Sequence, residues 1–304
     1  MPMAARFISK IFFGIVLPAG LAAPVLADSS SPLLAAYYDR QMAIVGGAVY
    51  SWSGNDAPKR LSLMGVQVGV GRDTRYVLTA QGVLLGFRDD PERAVTLITG
   101  VARFAAGRTG ILAIGVNGTL WWLSGLSGDK RKIANATAAA VGDGTNYYIT
   151  EAGALFVKGR AHRGQYGDGK LTATDRFVRT ASDVWQIRAH TGHSILLKKN
   201  GVVMGTGGNI YGPVGRHGLG DKAVRWSRIL SGVRAIATGS SHSLAIRHDG
   251  TLMAWGRGYG PEPVAVMAGV TAVAAGSSMT IALKRNGSLW QWAPGETPRQ
   301  VLAK

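Results

Sequence analysis

The sequence predicts an all-β protein, a seven-bladed β-propeller of four-stranded blades. Three observations carry that expectation. A long unit occurs twice near the C-terminus, seven turn glycines recur at blade-sized intervals, and runs of three apolar residues precede several of those glycines. The stretch 238–256, which opens Thr238-Gly239-Ser240-Ser241-His242 and closes Ala254-Trp255-Gly256, returns as 275–292. Two near copies of that length make an internal repeat the first organising fact of the chain.

The turn glycines are Gly47, Gly82, Gly118, Gly153, Gly201, Gly250 and Gly287, separated by 35, 36, 35, 48, 49 and 37 residues. Four antiparallel strands with tight turns fill such an interval. Asn117-Gly118, Asn200-Gly201, Asp249-Gly250 and Asn286-Gly287 are the dipeptides that two-residue hairpin loops with positive φ favour. Ahead of the turns, Leu112-Ala113-Ile114, Ile195-Leu196-Leu197 and Ile281-Ala282-Leu283 are apolar at every position, the mark of an inner strand covered on both faces. Behind them, Tyr50 and Trp52, Leu85 and Phe87, Trp121 and Leu123, Met253 and Trp255, and Trp290 and Trp292 lie two apart. That spacing puts each pair on one strand face, where it fills the gap to the next blade. A third strand precedes the small-residue motif at 233–236 and 270–273, and 299–302 matches a fourth, outermost one. The stretch 37–52 reads as a hairpin without its outer strand, so the two ends are expected to complete one shared blade. N- and C-terminal strands would then close the ring and leave no open edge.

The run Gly239-Ser240-Ser241-His242-Ser243-Leu244 with Asp249-Gly250 and Trp255-Gly256 resembles the repeat of the regulator of chromosome condensation family. So do the loop segments Gly164-Gln165-Tyr166-Gly167-Asp168-Gly169 and Gly218-Leu219-Gly220-Asp221. The likeness covers roughly 30–304 and is fullest from 142 onward, since the first three repeats lack the repeat histidine and the glycine-rich loop. It implies a propeller that works as a binding scaffold: family members include exchange factors for a small GTPase and secreted bacterial binders, β-lactamase inhibitors among them, that use one face. It also implies that His193 and His242, at the repeat histidine position, are structural hydrogen-bonding residues, with His190 on the same strand entry.

Composition sets further bounds. Hydrophobic residues make up 46% of 304, enough for a large core, and the 43 glycines follow no triplet period, which excludes a collagen-like chain. Residues 1–27 read as a secretory signal, with Arg6 and Lys10, an apolar stretch at 11–21 and the small-residue pattern Val25-Leu26-Ala27. The mature domain is then 28–304, in the periplasm or outside the cell. Retention of the segment as a membrane anchor is the alternative, but Gly14, Pro18 and Gly20 make it a poor span. The absence of cysteine excludes disulfides, thiolate metal sites and the usual bacterial lipid attachment. The formal charge of +17, less the two basic signal residues, leaves about +15 on the mature chain, which attracts polyanions or simply keeps an exported protein soluble.

Two groups of residues are candidate sites. The fourth and fifth repeats carry surplus loops, from which Arg160, His162, Arg163, Tyr166, Tyr211, Arg216 and His217 would project on one rim and mix aromatic area with cationic donors. The plainer reading makes these ordinary blade connections, with Asp168 and Asp221 holding local turns. Lys198, Lys199, Arg247, His248, Lys284 and Arg285 occupy equivalent hairpin positions in three successive repeats and would gather into a basic sector. No nucleophile elbow, phosphate-cradling loop or histidine set with metal-ligand spacing is present, and no cofactor or metal is expected. The reading that results is a monomeric, non-enzymatic module that binds an unidentified protein partner through the loop rim. A binder of anionic envelope glycans, lipid head groups or nucleic acid is the alternative. A glycan hydrolase or lyase using Asp168 and Asp221 is the third.

Overall fold

The computed structural model describes residues 33–108, 110–127, 129–215 and 220–303. The signal read at 1–27 lies outside them, as do Arg216 and His217. Seven antiparallel four-stranded sheets occupy 34–64, 67–98, 101–135, 138–181, 184–230, 233–267 and 270–302, and in each the strands pair in chain order. The protein is a seven-bladed β-propeller.

The first strand of every blade lies innermost. These are β1 (Leu34–Tyr37), β5 (Gln67–Val70), β9 (Val101–Gly107), β13 (Ala138–Val141), β17 (Val184–Ala189), β21 (Val233–Thr238) and β25 (Val270–Ala275). Each touches the next, and β25 returns to β1, so the seven ring the axis and enclose a central channel of about 370 Å³. The apolar triplets form the second strands, such as β18 (His193–Lys198) and β26 (Thr280–Lys284), where Ile195, Leu196, Ile281 and Ala282 are fully buried. Trp255 and Trp292 are buried as well and join the hydrophobic clusters of the blade walls, as their spacing requires.

The hairpin loops differ in one respect from the two-residue expectation. The Lys198 N–H donates to Val202 O and the Gly201 N–H to Lys198 O, which makes a three-residue loop, and the same pattern recurs at 247–251 and 284–288. Glycine alone carries positive φ there, 79° at Gly201, 90° at Gly250 and 83° at Gly287. The preceding Asn or Asp instead accepts a backbone N–H two residues on with its side chain, as Asp249 does from Thr251 at 2.8 Å. In blade one, by contrast, Gly46 and Gly47 form a true two-residue loop with both φ positive.

Ring closure also departs from expectation, for no blade is shared. Blade one has its own outer strand, β4 (Lys59–Met64), and β28 (Arg299–Leu302) is the outer strand of blade seven. The ring closes through side chains and loops. The Trp52 indole N–H donates to the buried Gln291 Oε1 at 2.5 Å, the Gln291 amide donates to Gly54 O at 2.7 Å, and the Ser277 N–H donates to Tyr38 O at 3.1 Å. Leu34, Ala43 and Trp52 pack with Ile281, Leu283 and Leu289 beneath these bonds.

Polar staples join neighbouring blades in the second half of the ring. The Tyr147 hydroxyl meets Ser194 Oγ at 2.8 Å, His193 Nε2 meets Ser243 Oγ at 2.9 Å, and His242 Nε2 meets Thr280 Oγ1 at 3.0 Å. Burial lowers the imidazole pKa of His193 and of His242 to about 3, so both rings are neutral. Gly239 makes room for the last of these staples: a Cβ there would lie 2.2 Å from the His242 ring.

Candidate functional site

A meander of four strands sends its first and third connections to one face of the disc and its second to the other. The first face carries the two long loops, 160–173 after β15 (Leu155–Gly159) and 209–221 after β19 (Val203–Gly208). The second carries the hairpin turns.

On the long-loop face Arg160, His162 and Arg163 are exposed. Arg108 and Arg160 converge on Asp143, with Nη1 to Oδ1 distances of 3.0 and 3.8 Å. The Arg163 stem crosses onto the next blade over Gly192, where a Cβ would come within 2.9 Å of its Cδ. Beside them Tyr37 stacks on His190, with ring centroids 5.4 Å apart, and burial holds that imidazole at about 4.

Tyr166 does not belong to this surface. It is 1% exposed, it packs among Leu155, Val157 and Ile187, and its hydroxyl donates to Gly159 O at 2.6 Å while accepting the Thr174 N–H at 3.2 Å. The aromatic ring anchors the loop from beneath, so it offers no face to a partner. Gln165 does similar work: its Oε1 accepts the Arg163 N–H and its carbonyl accepts the Tyr147 hydroxyl. Asp168 is committed to a local turn, accepting the Lys170 N–H at 2.9 Å.

The second long loop is the more exposed. Tyr211 is 53% and Ile210 is 69% exposed, at the tip of a segment whose base is held from within. Buried Asn209 donates to Gly220 O and accepts the Val214 N–H, while Pro213 O accepts both Ser243 Oγ–H and the Trp255 indole N–H at 2.8 Å. The Arg257 guanidinium lies 5.7 Å from the Tyr211 ring centroid, close enough for a cation–π contact. Sequence reasoning did not single out Ile210, Arg257, Arg108 or Asp143. Nothing in the local pattern distinguishes an exposed isoleucine in a glycine-rich loop from a buried one.

The hairpin face brings the six basic candidates onto three adjacent blades, yet two are engaged locally. Lys198 Nζ donates to Ser182 O at 2.6 Å, and Lys284 Nζ lies 5.5 Å from the Trp290 ring centroid. Lys199, Arg247, His248 and Arg285 are exposed. Between them and the axis stand Arg234, whose Nη2 donates to Val270 O at 2.8 Å, and Trp185, 52% exposed at the channel mouth.

Residues 233–259, which run from the innermost strand of blade six through its tryptophan, match the family model of the regulator of chromosome condensation (RCC1) repeat. The crystal structure of Prp20p from Saccharomyces cerevisiae superposes with a TM-score of 0.73, covering 82% of this chain and 81% of that one at 15% identity. One blade of the chain thus matches the RCC1 repeat, and the whole ring shares the fold of an RCC1-type propeller. The chain is also similar to the secretion-regulating guanine nucleotide exchange factor of Bos taurus, 31% identical over 126 residues. That match takes in 38% of this chain and 27% of the relative, so the chain spans about a quarter of the relative's length. The ectodomain of the Arabidopsis thaliana receptor kinase ACR4 shares the fold at a TM-score of 0.61 and 13% identity, over 90% of this chain and 98% of that one.

Proposed function

We propose that this RCC1-repeat propeller is an exported, non-enzymatic binding module that engages a protein partner through its long-loop face, with Ile210 and Tyr211 as the central contacts. The observation that carries the reading is an apolar and an aromatic side chain standing in solvent on a loop held rigidly at its base. Preorganised aromatic anchors flanked by cationic donors are what interface hot spots are made of; Arg257 stands beside Tyr211, and the Arg163 stem passes Gly208 at the base of the loop. Prp20p, which shares the fold, has binding properties to Gsp1p and histones, and this supports a protein as the class of partner. Export rests on the signal pattern at 1–27.

A polyanion partner is the second reading, favoured by Lys199, Arg247, His248 and Arg285 lying exposed on three adjacent blades. Capture from envelope extract at low and high salt, with wild-type protein beside an Ile210→Ser, Tyr211→Ala variant, separates the two. A discrete protein retained at high salt and lost with the variant supports the long-loop face. Recovery of polyanions alone, released by salt from both proteins, overturns it.

A further inference from the structure

The innermost strands pair with their neighbours in one common register, which sorts their residues into tiers about the axis. One tier consists of Ala35, Gly69, Ala105, Ala140, Ala237 and Ala274 in six blades and of Arg188 in the seventh. All seven line the channel. Small residues hold the wall back on six sides, and the arginine side chain occupies the space they leave.

Arg188 has little to bind there. Nη1 donates to the carbonyl of Ile187 at 3.0 Å, and among the described residues no carboxylate forms an ion pair with it. Enclosure pulls its pKa below the ordinary arginine value, and no acidic neighbour offsets that pull. Three other polar groups of the lining are engaged elsewhere: Gln67 exchanges bonds with the Phe104 backbone, Gln186 accepts the Ile236 N–H, and Arg234 donates to Val270 O, while the neutral His190 ring, unpartnered at Nε2, carries no charge to compete with Arg188. An enclosed cation persists at small cost only when an anion meets it, and a guanidinium fork meets a carboxylate with two parallel bonds. A cavity of about 370 Å³ holds far more than that carboxylate. Much of the remaining wall is apolar, built from alanines with Val68, Val273, Ile236 and Phe104.

We propose that the central channel binds a small organic carboxylate, with Arg188 gripping the carboxylate and the apolar walls taking a short hydrocarbon body. This site is independent of the long-loop face.

Titration calorimetry of the full chain with hexanoate, 1-hexanol and inorganic phosphate tests it, beside Arg188→Ala, which restores the small residue of the other six blades. Saturable one-to-one binding of hexanoate is expected, weakened at least about tenfold in Arg188→Ala. Neither 1-hexanol nor phosphate should match it. Hexanoate that gives no saturable heat, or binds Arg188→Ala equally well, overturns the site; phosphate binding as tightly as hexanoate overturns the hydrocarbon body. Should Arg188→Ala fail to fold, the melting temperature of the wild type decides. A rise with hexanoate and none with 1-hexanol supports the proposal, and equal responses refute it.

Discussion

His242 Nε2 lies 3.0 Å from Thr280 Oγ1, and the bond ties blade six to blade seven at a point where both side chains are fully buried. The equivalent histidine one blade earlier, His193, makes the same bond to Ser243. The repeat histidine is therefore a staple between blades and not a ligand or a base.

Replacing His242 with alanine removes the staple and leaves the Thr280 hydroxyl without its partner in a dry interface. We expect a loss of about 1–3 kcal/mol in unfolding free energy, read as a lower denaturant midpoint at unchanged m-value. Thr280→Val in the same background should add little, because the two substitutions break one bond. Full additivity of the pair would refute the staple.

Three histidines have their pKa values lowered from 6.5 by burial, His190 to about 4 and His193 and His242 to about 3. Below about pH 6.5 the unfolded chain takes up protons that the folded ring does not, so stability is full above that pH and falls as the pH drops toward the folded values. The slope should be on the order of 1 kcal/mol per pH unit for each histidine. Melting temperatures from pH 8 to pH 5 should decline less steeply in a His193→Gln, His242→Gln variant; parallel curves would exclude the histidines as the cause.

Tyr166 and Tyr211 should part company under substitution. Tyr166→Ala opens a void in the blade wall and releases two backbone groups, with an expected loss of about 3–5 kcal/mol. Tyr211→Ala, at an exposed tip, should change stability by less than about 0.5 kcal/mol. Thermal unfolding of the two single variants checks this, and comparable losses would show that Tyr211 is part of the core.

Gln291→Leu keeps the volume at the seam between blades seven and one but strands the Trp52 indole N–H. A loss of about 1–3 kcal/mol is expected, and Trp52→Phe in the same protein should recover part of it because no donor then remains unpaired. Urea titrations of the two variants supply the comparison, and a Gln291→Leu protein as stable as wild type would remove the bond from the closure.

The parts of the fold that the sequence displays are those in which one side chain has one possible environment. Trp255 and Trp292 declared themselves by spacing, and the apolar triplets declared strands covered on both faces. The outer strand Lys59–Met64 was hidden because it opens on the charged pair Lys59-Arg60, buries none of its residues fully and follows Gly54-Asn55-Asp56, which reads as a surface loop. Missing it produced the expectation of a shared blade. In the long loops, glycine-rich backbone has no period, so the direction of Tyr166 depends on contacts with Gly159 and Thr174 that only the folded loop brings near. Arg188 is an ordinary polar letter in Val184-Trp185-Gln186-Ile187-Arg188-Ala189. Its singularity emerges only when the register of all seven innermost strands is known.

Because every blade is one uninterrupted stretch of chain, a blade is also a transferable cassette. Deleting or duplicating the coding sequence for the 33 to 49 residues from one blade start to the next would break no strand pairing within the remaining sheets. A strand exchanged between the two ends would have fixed the count; side-chain closure leaves it to the angle between neighbours. The lineage of such a ring can therefore change its number of blades, and with it the width of its channel, one whole unit at a time.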